Sequence, residues 1–366
     1  LYRELHCDFP NNISEQSISP DLPGNTIGSI SRASATSQIL ASLEQAGVPC
    51  SEFKNPIYKP GDAIELIDHF LDTTTPWLGS PKLQKIIQKD GLLLALRAPY
   101  LLHSILAISA SHLSYLHPEQ KKYEVAATIH YQHALTSYSS QLRTGVDAES
   151  ADSVIGCGYL QTMLAFENIF RASKEEAGGG GGGGVTWLRA MQGIRILLGA
   201  SGISPHLEQS IWLPVFLESG GWEENICQAA ESMDDSWMST TSKALHALCE
   251  VLFDPSCLQS PYQQPLSILC RLIRSNMSHD TIGRFMVFIG KLPNDFVELF
   301  EQNEPRALLL MAYWCALISG VDQWWIVRSA TVECRRLCAS LDNASDSRTR
   351  DLLKFPASRC GYILKK

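Results

Sequence analysis

The stretch Pro99–Leu116, PYLLHSILAISASHLSYL, contains no Asp, Glu, Lys or Arg. Leu101, Leu102, Ile105, Leu106, Ile108, Leu113 and Leu116 cover more than the roughly 100° stripe of a surface helix, so other elements must wrap this one. Pro99 suits a first turn, where its missing N–H has no intrahelical partner, and Pro118 ends the run just after His117. His103 and His112 are nine residues apart and fall on different faces, which argues against a shared metal. A second run of this kind, RALLLMAYWCALISGV, follows Pro305. Fifteen uncharged residues stand between Arg306 and Asp322, fewer than the ~20 that span a bilayer, so this is a buried core helix. Two buried apolar central helices imply an all-α, orthogonal or bundle-like domain with about a dozen helices in all.

At 366 residues the chain can bury a large core without covalent staples. Its formal net charge of -8 argues against a nucleic-acid surface on this piece, because phosphate binding needs concentrated Lys and Arg. Eleven cysteines, with no C-x-x-C pair, are expected to be reduced core thiols of an intracellular protein. The start at Leu1 reads as the edge of a piece cut from a longer protein, and no secretory signal pattern opens it. The sequons at Asn12, Asn276 and Asn343 are then chance matches.

Residues 1–60 are rich in Ser, Pro, Asn and Gly and read as a linker or wrapped arm with a short helix at 37–46; the helical domain is expected over 61–366. Helical spacing starts with Ile64, Leu66, Ile67, Phe70 and Leu71 and stops at Thr73-Thr74-Thr75-Pro76, and Pro81 opens the next helix. The helix at 119–142 is expected to face inward through Tyr123, Ala126, Ala127, His130, Ala134, Leu135, Tyr138 and Leu142. Residues 153–170 form the next. The seven-glycine tract 178–184 is a flexible bridge, in the pattern of an engineered replacement for a longer loop. Helices follow at 185–198 and 206–218, the latter kinked or broken by Pro214. Residues 220–239 read as loop, with helices at 242–253, 265–273, 282–292, 305–321 and 327–341. A short helix from Asp351 closes the series before Phe355-Pro356.

No catalytic constellation emerges, and the chain is not expected to be an enzyme. His130 and His133 lie on one helix face without a third ligand, so no metal is assigned to them. Cys334 and Cys338 are spaced for a soft metal pair but read more simply as core thiols. Asp234-Asp235 is followed by Met238, where the DDxxD metal motif needs a third aspartate. The glycine tract lacks the preceding strand and the Lys-Ser or Lys-Thr of a phosphate loop. No metal or cofactor is expected in this chain. What remains is a set of bulky apolar residues on the late helices. Phe285, Phe288, Leu308, Met311, Trp314, Cys315, Ile318 and Trp325 are candidates for the wall of an apolar ligand pocket, the alternative being ordinary core.

The segments Glu65-Leu66-Ile67-Asp68-His69-Phe70, Ala98 through Leu113, and Tyr123 with the alanine-rich helix ending at Leu142 resemble the regulatory domain of fungal zinc binuclear cluster transcription factors. The later stretch from Pro305 through Trp314, with Trp325 and Phe355-Pro356, is similar to the C-terminal part of that family, most of all its sterol uptake control branch. The resemblance runs in order over about residues 62–360 and is weakest in the middle third. It implies a homodimeric helical effector domain, co-regulator partners, nuclear location, and DNA contact only through an N-terminal zinc cluster absent from this sequence. In the sterol-related branch it further implies a hydrophobic ligand near the C-terminal helices that holds the factor inactive or cytoplasmic. A ligand-free dimerisation and co-regulator scaffold is the other reading.

Overall fold

The computed structural model describes residue 41 and residues 62–175, 186–200, 202–217, 237–249, 260–275, 282–344 and 347–365. Apart from residue 41, the expected arm at 1–60 lies outside these, as do the glycine tract and most of the loop at 220–239. Among the described residues the chain is helical, with no strand. None of the helices is long and apolar enough to cross a membrane.

Helix α1 (Asp62–His69) runs through a π turn (Phe70–Thr74) into a 3-10 turn (Thr75–Trp77). Helix α2 (Pro81–Ile86) is capped by the Ser80 hydroxyl, which accepts from Leu83 N, and passes by a second π turn into α3 (Leu92–Ala95). Helices α4 (Pro99–Leu116) and α5 (Lys121–Thr144) form an antiparallel hairpin and are the most extensively packed pair of the fold. Helix α6 (Ala151–Glu175) lies on the other side of α4 and continues the core to α7 (Thr186–Leu198).

Every residue of α4 from Tyr100 to Leu113 is buried, so its polar side chains must find partners inside the protein. The Ser104 hydroxyl donates to Tyr100 O in the preceding turn and accepts from Gln161 on α6. Ser109 donates to Leu66 O on α1. His112 meets the Thr74 hydroxyl at 3.0 Å and His69 at 3.3 Å. The His103 and His130 rings share an N–H···N bond of 2.9 Å between their Nδ1 atoms. That bond needs one ring as donor and the other, which must be neutral, as acceptor. Burial, reinforced by the neighbouring His133, pushes His103 down to about 3, and burial lowers His130 as well. These histidines therefore fasten α4 to α5.

Inward assignment by periodicity alone goes too far at three positions. Leu116, Leu135 and Leu142 are each about two-fifths exposed. An 18-residue helix is about 27 Å long and a 24-residue helix about 36 Å. The last turns of α5 therefore outrun the start of α4, and Leu142 is left partly open to solvent. The expected break near Pro214 is present. A 3-10 stretch (Ser204–Gln209) ends at Ser210, and a new helical turn starts at residue 213 with Pro214 in its first positions. Ser210 donates to Asp152 Oδ1 at 2.7 Å and accepts from Trp212 N, while Trp212 Nε1 donates to Asp152 O at 2.8 Å. The break thus hooks onto the first turn of α6.

The C-terminal half is arranged around α12 (Pro305–Ile318), in which every residue from Ala307 onward is buried. Around it pack α9 (Gln263–Arg274), α10 (Ile282–Gly290), α11 (Asn294–Glu301), α13 (Trp324–Ala344) and α14 (Ser347–Cys360), with α8 (Trp237–Leu248) against α9 and α14. Helix α8 begins earlier than the Ser/Thr-rich sequence suggests because Thr241 and Ser242 are buried in it. Glu304 caps α12: its carboxylate accepts from Ala307 N at 2.9 Å, Tyr262 Oη at 2.7 Å and Arg306 Nε at 2.9 Å. The last helix does not stop before Phe355-Pro356 but carries Pro356 in its interior. Proline removes the N–H that would bond Leu352 O, and Tyr313 Oη of α12 donates to that carbonyl instead, at 2.8 Å.

Close approach makes one glycine obligatory. A Cβ on Gly156 would sit 2.7 Å from Cζ2 of the buried Trp212 ring. Gly156→Ala is expected to cost about 1–3 kcal/mol in urea unfolding by overpacking. Gly193→Ala on α7, where an added Cβ meets nothing within 4 Å, is expected to gain about 0.5–1 kcal/mol from lost backbone freedom in the unfolded chain.

Candidate functional site

Trp314 of α12 stands where the two halves join. Its ring lies nearly parallel to Phe288 of α10 and to Trp187 of α7, both at 6.1 Å between centroids. Phe166 of α6 meets it edge-on at 5.9 Å and also touches Trp187 (5.4 Å) and Trp325 (6.4 Å) edge-on. These are the offset and edge-to-face geometries that the aromatic quadrupole favours. The Trp314 indole N–H donates to Phe285 O at 2.9 Å, so α10 is held to α12 by a hydrogen bond as well as by ring contact. Four helices thus converge on one side chain.

The eight apolar residues singled out from the sequence are all buried, but they do not form one group. Phe288, Trp314 and Trp325 belong to the aromatic cluster, and Phe285 joins it through its backbone carbonyl. Cys315 lies one position round α12, on the flank facing α13 and α14, in the electrostatic neighbourhood of Glu333, Cys338 and Cys360; burial raises its thiol well above the ordinary range. Leu308, Met311 and Ile318 occupy the same helix within the continuous apolar core. A crevice lies elsewhere, between α2, α4 and α6, lined by residues including Leu83, Leu101, Leu160 and Trp212, with about 10 Å³ of interior space, enough for about one water.

Polar groups border the aromatic cluster. Trp187 Nε1 donates to Glu333 Oε1 at 3.4 Å, and Arg336 pairs with both oxygens of that buried carboxylate. At the start of α13, Trp325 Nε1 donates to Gln323 Oε1 at 3.1 Å. An indole N–H can only donate, so this bond fixes the amide orientation and identifies the Gln323 NH2 group. Gln323 is fully buried and its Nε2 has no hydrogen-bond partner among the described residues. A buried donor left unmade costs about 1–3 kcal/mol, so it marks a place where an acceptor would be bound strongly. Trp324 turns the other way, stacking on His112 at 4.7 Å, and its own Nε1 has no partner among the described residues.

Sequence periodicity points to Trp314 and Phe288 but not to Phe166, Trp187 or Gln323, whose partners lie more than a hundred residues away or depend on one indole orientation. Trp314→Phe, which removes the bond to Phe285 O and leaves a void, is expected to lower unfolding stability by about 1–3 kcal/mol. Trp77→Phe, at a position 41% exposed, is expected to stay within about 0.5 kcal/mol.

Residues 65–210, from α1 through the break at Ser210, match the family described as fungal specific transcription factor domain. A Zn(2)-C6 fungal-type transcription factor of Gibberella zeae is 23% identical over 305 residues, covering 77% of this chain and 58% of its own length. Sterol uptake control protein 2 of Candida albicans is 24% identical over 251 residues, covering 65% of this chain and 34% of its own length. The chain therefore spans less than two thirds of either curated relative. The match begins in α1, takes in the α4–α5 hairpin, and agrees with the motifs that carry the resemblance, so over residues 65–210 the chain is similar to the fungal specific transcription factor domain, and the relatives support a regulatory domain of a fungal zinc cluster factor.

Proposed function

We propose that this regulatory domain responds to an apolar, sterol-like effector received at the aromatic seam. The wall of the site is Phe288, Trp314 and Trp325 with the neighbouring Phe285, Leu308, Met311 and Ile318 of the same apolar core, Cys315 lying on the other flank of α12, and the Gln323 NH2 group donates to the effector's oxygen. The observation that carries this reading is the orphaned Gln323 donor beside an otherwise apolar, aromatic interior, a donor set that suits a molecule with one hydroxyl on a large apolar body. The similarity to a protein named for control of sterol uptake supports the ligand class.

An effector shifts a protein only by binding one state better than the other. These seven wall residues are at most 3% exposed, so entry requires α10 to part from α12. The ligand-bound state is then the one with separated helices, and loss of ligand restores the Trp314 contacts. In this reading the factor works in the nucleus as a homodimer with co-regulators, reaches DNA through a zinc cluster elsewhere in the full protein, and is held in the cytoplasm while ligand is bound. The closed packing of the same residues favours a second reading, a ligand-free scaffold for dimerisation and co-regulators.

The two are separated by extracting the purified chain under denaturing conditions and identifying released lipophiles by mass spectrometry. The first reading predicts about one sterol-like molecule per chain, and a thermal upshift on adding sterol equivalent to about 2.7 kcal/mol at a hundredfold excess over Kd. Gln323→Met is expected to weaken that binding about tenfold, as the loss of one buried hydrogen bond implies. Nothing extracted and no thermal shift with sterol would leave the scaffold.

A further inference from the structure

Three thiols meet where α13 and α14 pack behind α12. Cys334 and Cys338 are four residues apart on α13 and face the same way, and Cys360 is the last residue of α14. Their sulfurs lie within 4.8 Å of one another, all three side chains are buried, and all are free thiols. A buried thiol is often just a small apolar filler, but fillers have no reason to converge as three sulfurs on one point.

We propose that Cys334, Cys338 and Cys360 form a binding site for a soft monovalent cation, copper(I), in trigonal all-sulfur coordination. A metal–sulfur bond of about 2.3 Å places three coplanar sulfur ligands about 4 Å apart, so the group contracts by less than about 1 Å. Zinc closes its structural sites with four ligands, and among the described residues no carboxylate or imidazole completes this group. Burial keeps water from serving as a fourth ligand. Three thiolates without hard donors select copper(I) among the common ions.

Binding releases three protons to the buffer, one from each thiol, and forms three copper–sulfur bonds with no change of oxidation state. Cys334 gives up its contacts to Ala312 O (3.6 Å) and Pro356 O (3.5 Å); both carbonyls belong to helices. The complex carries net negative charge. Arg335, whose Nε donates to Cys360 O, supplies a cation beside the ligand that needs it. Asp342, the nearby acid, is already taken up by Arg350 and by Lys365 N. Through Cys360 the ion ties the last turn of α14 to α13, so the C-terminal helix becomes metal-dependent.

The test is anaerobic titration of the reduced full chain with copper(I) in competition with bathocuproine disulfonate, with X-ray absorption at the copper edge. The expected result is one tightly held copper with three sulfur neighbours at about 2.3 Å. Cys360→Ser is expected to weaken binding about 10- to 100-fold or more, whereas Cys157→Ala, a buried thiol on α6, leaves it unchanged. If circular dichroism shows Cys360→Ser unfolded, Cys338→Ala takes its place. Retained affinity in the folded variant, fewer than three sulfur neighbours, or four-coordinate zinc held more tightly than copper would overturn the proposal.

Discussion

Helix α12 has no charge between Arg306 and Asp322 and no solvent-facing side, which leaves the chain one way to satisfy it. Apolar surface is stabilised inside at about 25 cal/mol per Å², so five helices from the second half of the sequence close round α12. Polar atoms on it must then find partners in that shell. Tyr313 donates to Leu352 O and Trp314 to Phe285 O, and each bond fixes a neighbouring helix in position as well as removing a buried orphan. The proline-bearing α14 exists as one helix because of the first bond. The second holds α10 against α12 beside the seam between the halves.

The N-terminal half follows the same constraint with different chemistry. Helix α4 buries histidines and serines, and three of their bonds go to three different neighbours: Ser109 to α1, His103 to α5, Ser104 to α6. Glu65 adds an outer tie, accepting from Tyr123 Oη at 2.6 Å and from Lys122. The halves meet at α6, whose Phe166 touches Trp187, Trp314 and Trp325, and at Trp324 of α13, which stacks on His112 of α4.

Much of this is legible in the sequence because burial on all sides leaves a compositional mark. The two central helices, their opening prolines, the break at Pro214 and the all-α class follow from apolar runs and proline stereochemistry. Pro356 misleads because Tyr313, 39 residues away, rescues the carbonyl that proline strands. Leu135 and Leu142 mislead because periodicity says nothing about where the partner helix ends. Trp314 and Phe288 are visible as bulky late residues, yet Phe166, Gln323 and Cys360 are not. Their roles arise from what lies next to them in space, and no local pattern encodes that.

The central claim is that the aromatic seam is the part of this regulatory domain that an effector opens, while the α4–α5 hairpin stays shut. Amide hydrogen exchange of the full chain with and without added sterol tests it directly, because exchange reports local opening segment by segment. The account predicts altered exchange in α10, α12 and the first turns of α13, with α4 and α5 unchanged. Unaltered exchange in those three helices, or changes confined to α1–α5, would contradict it.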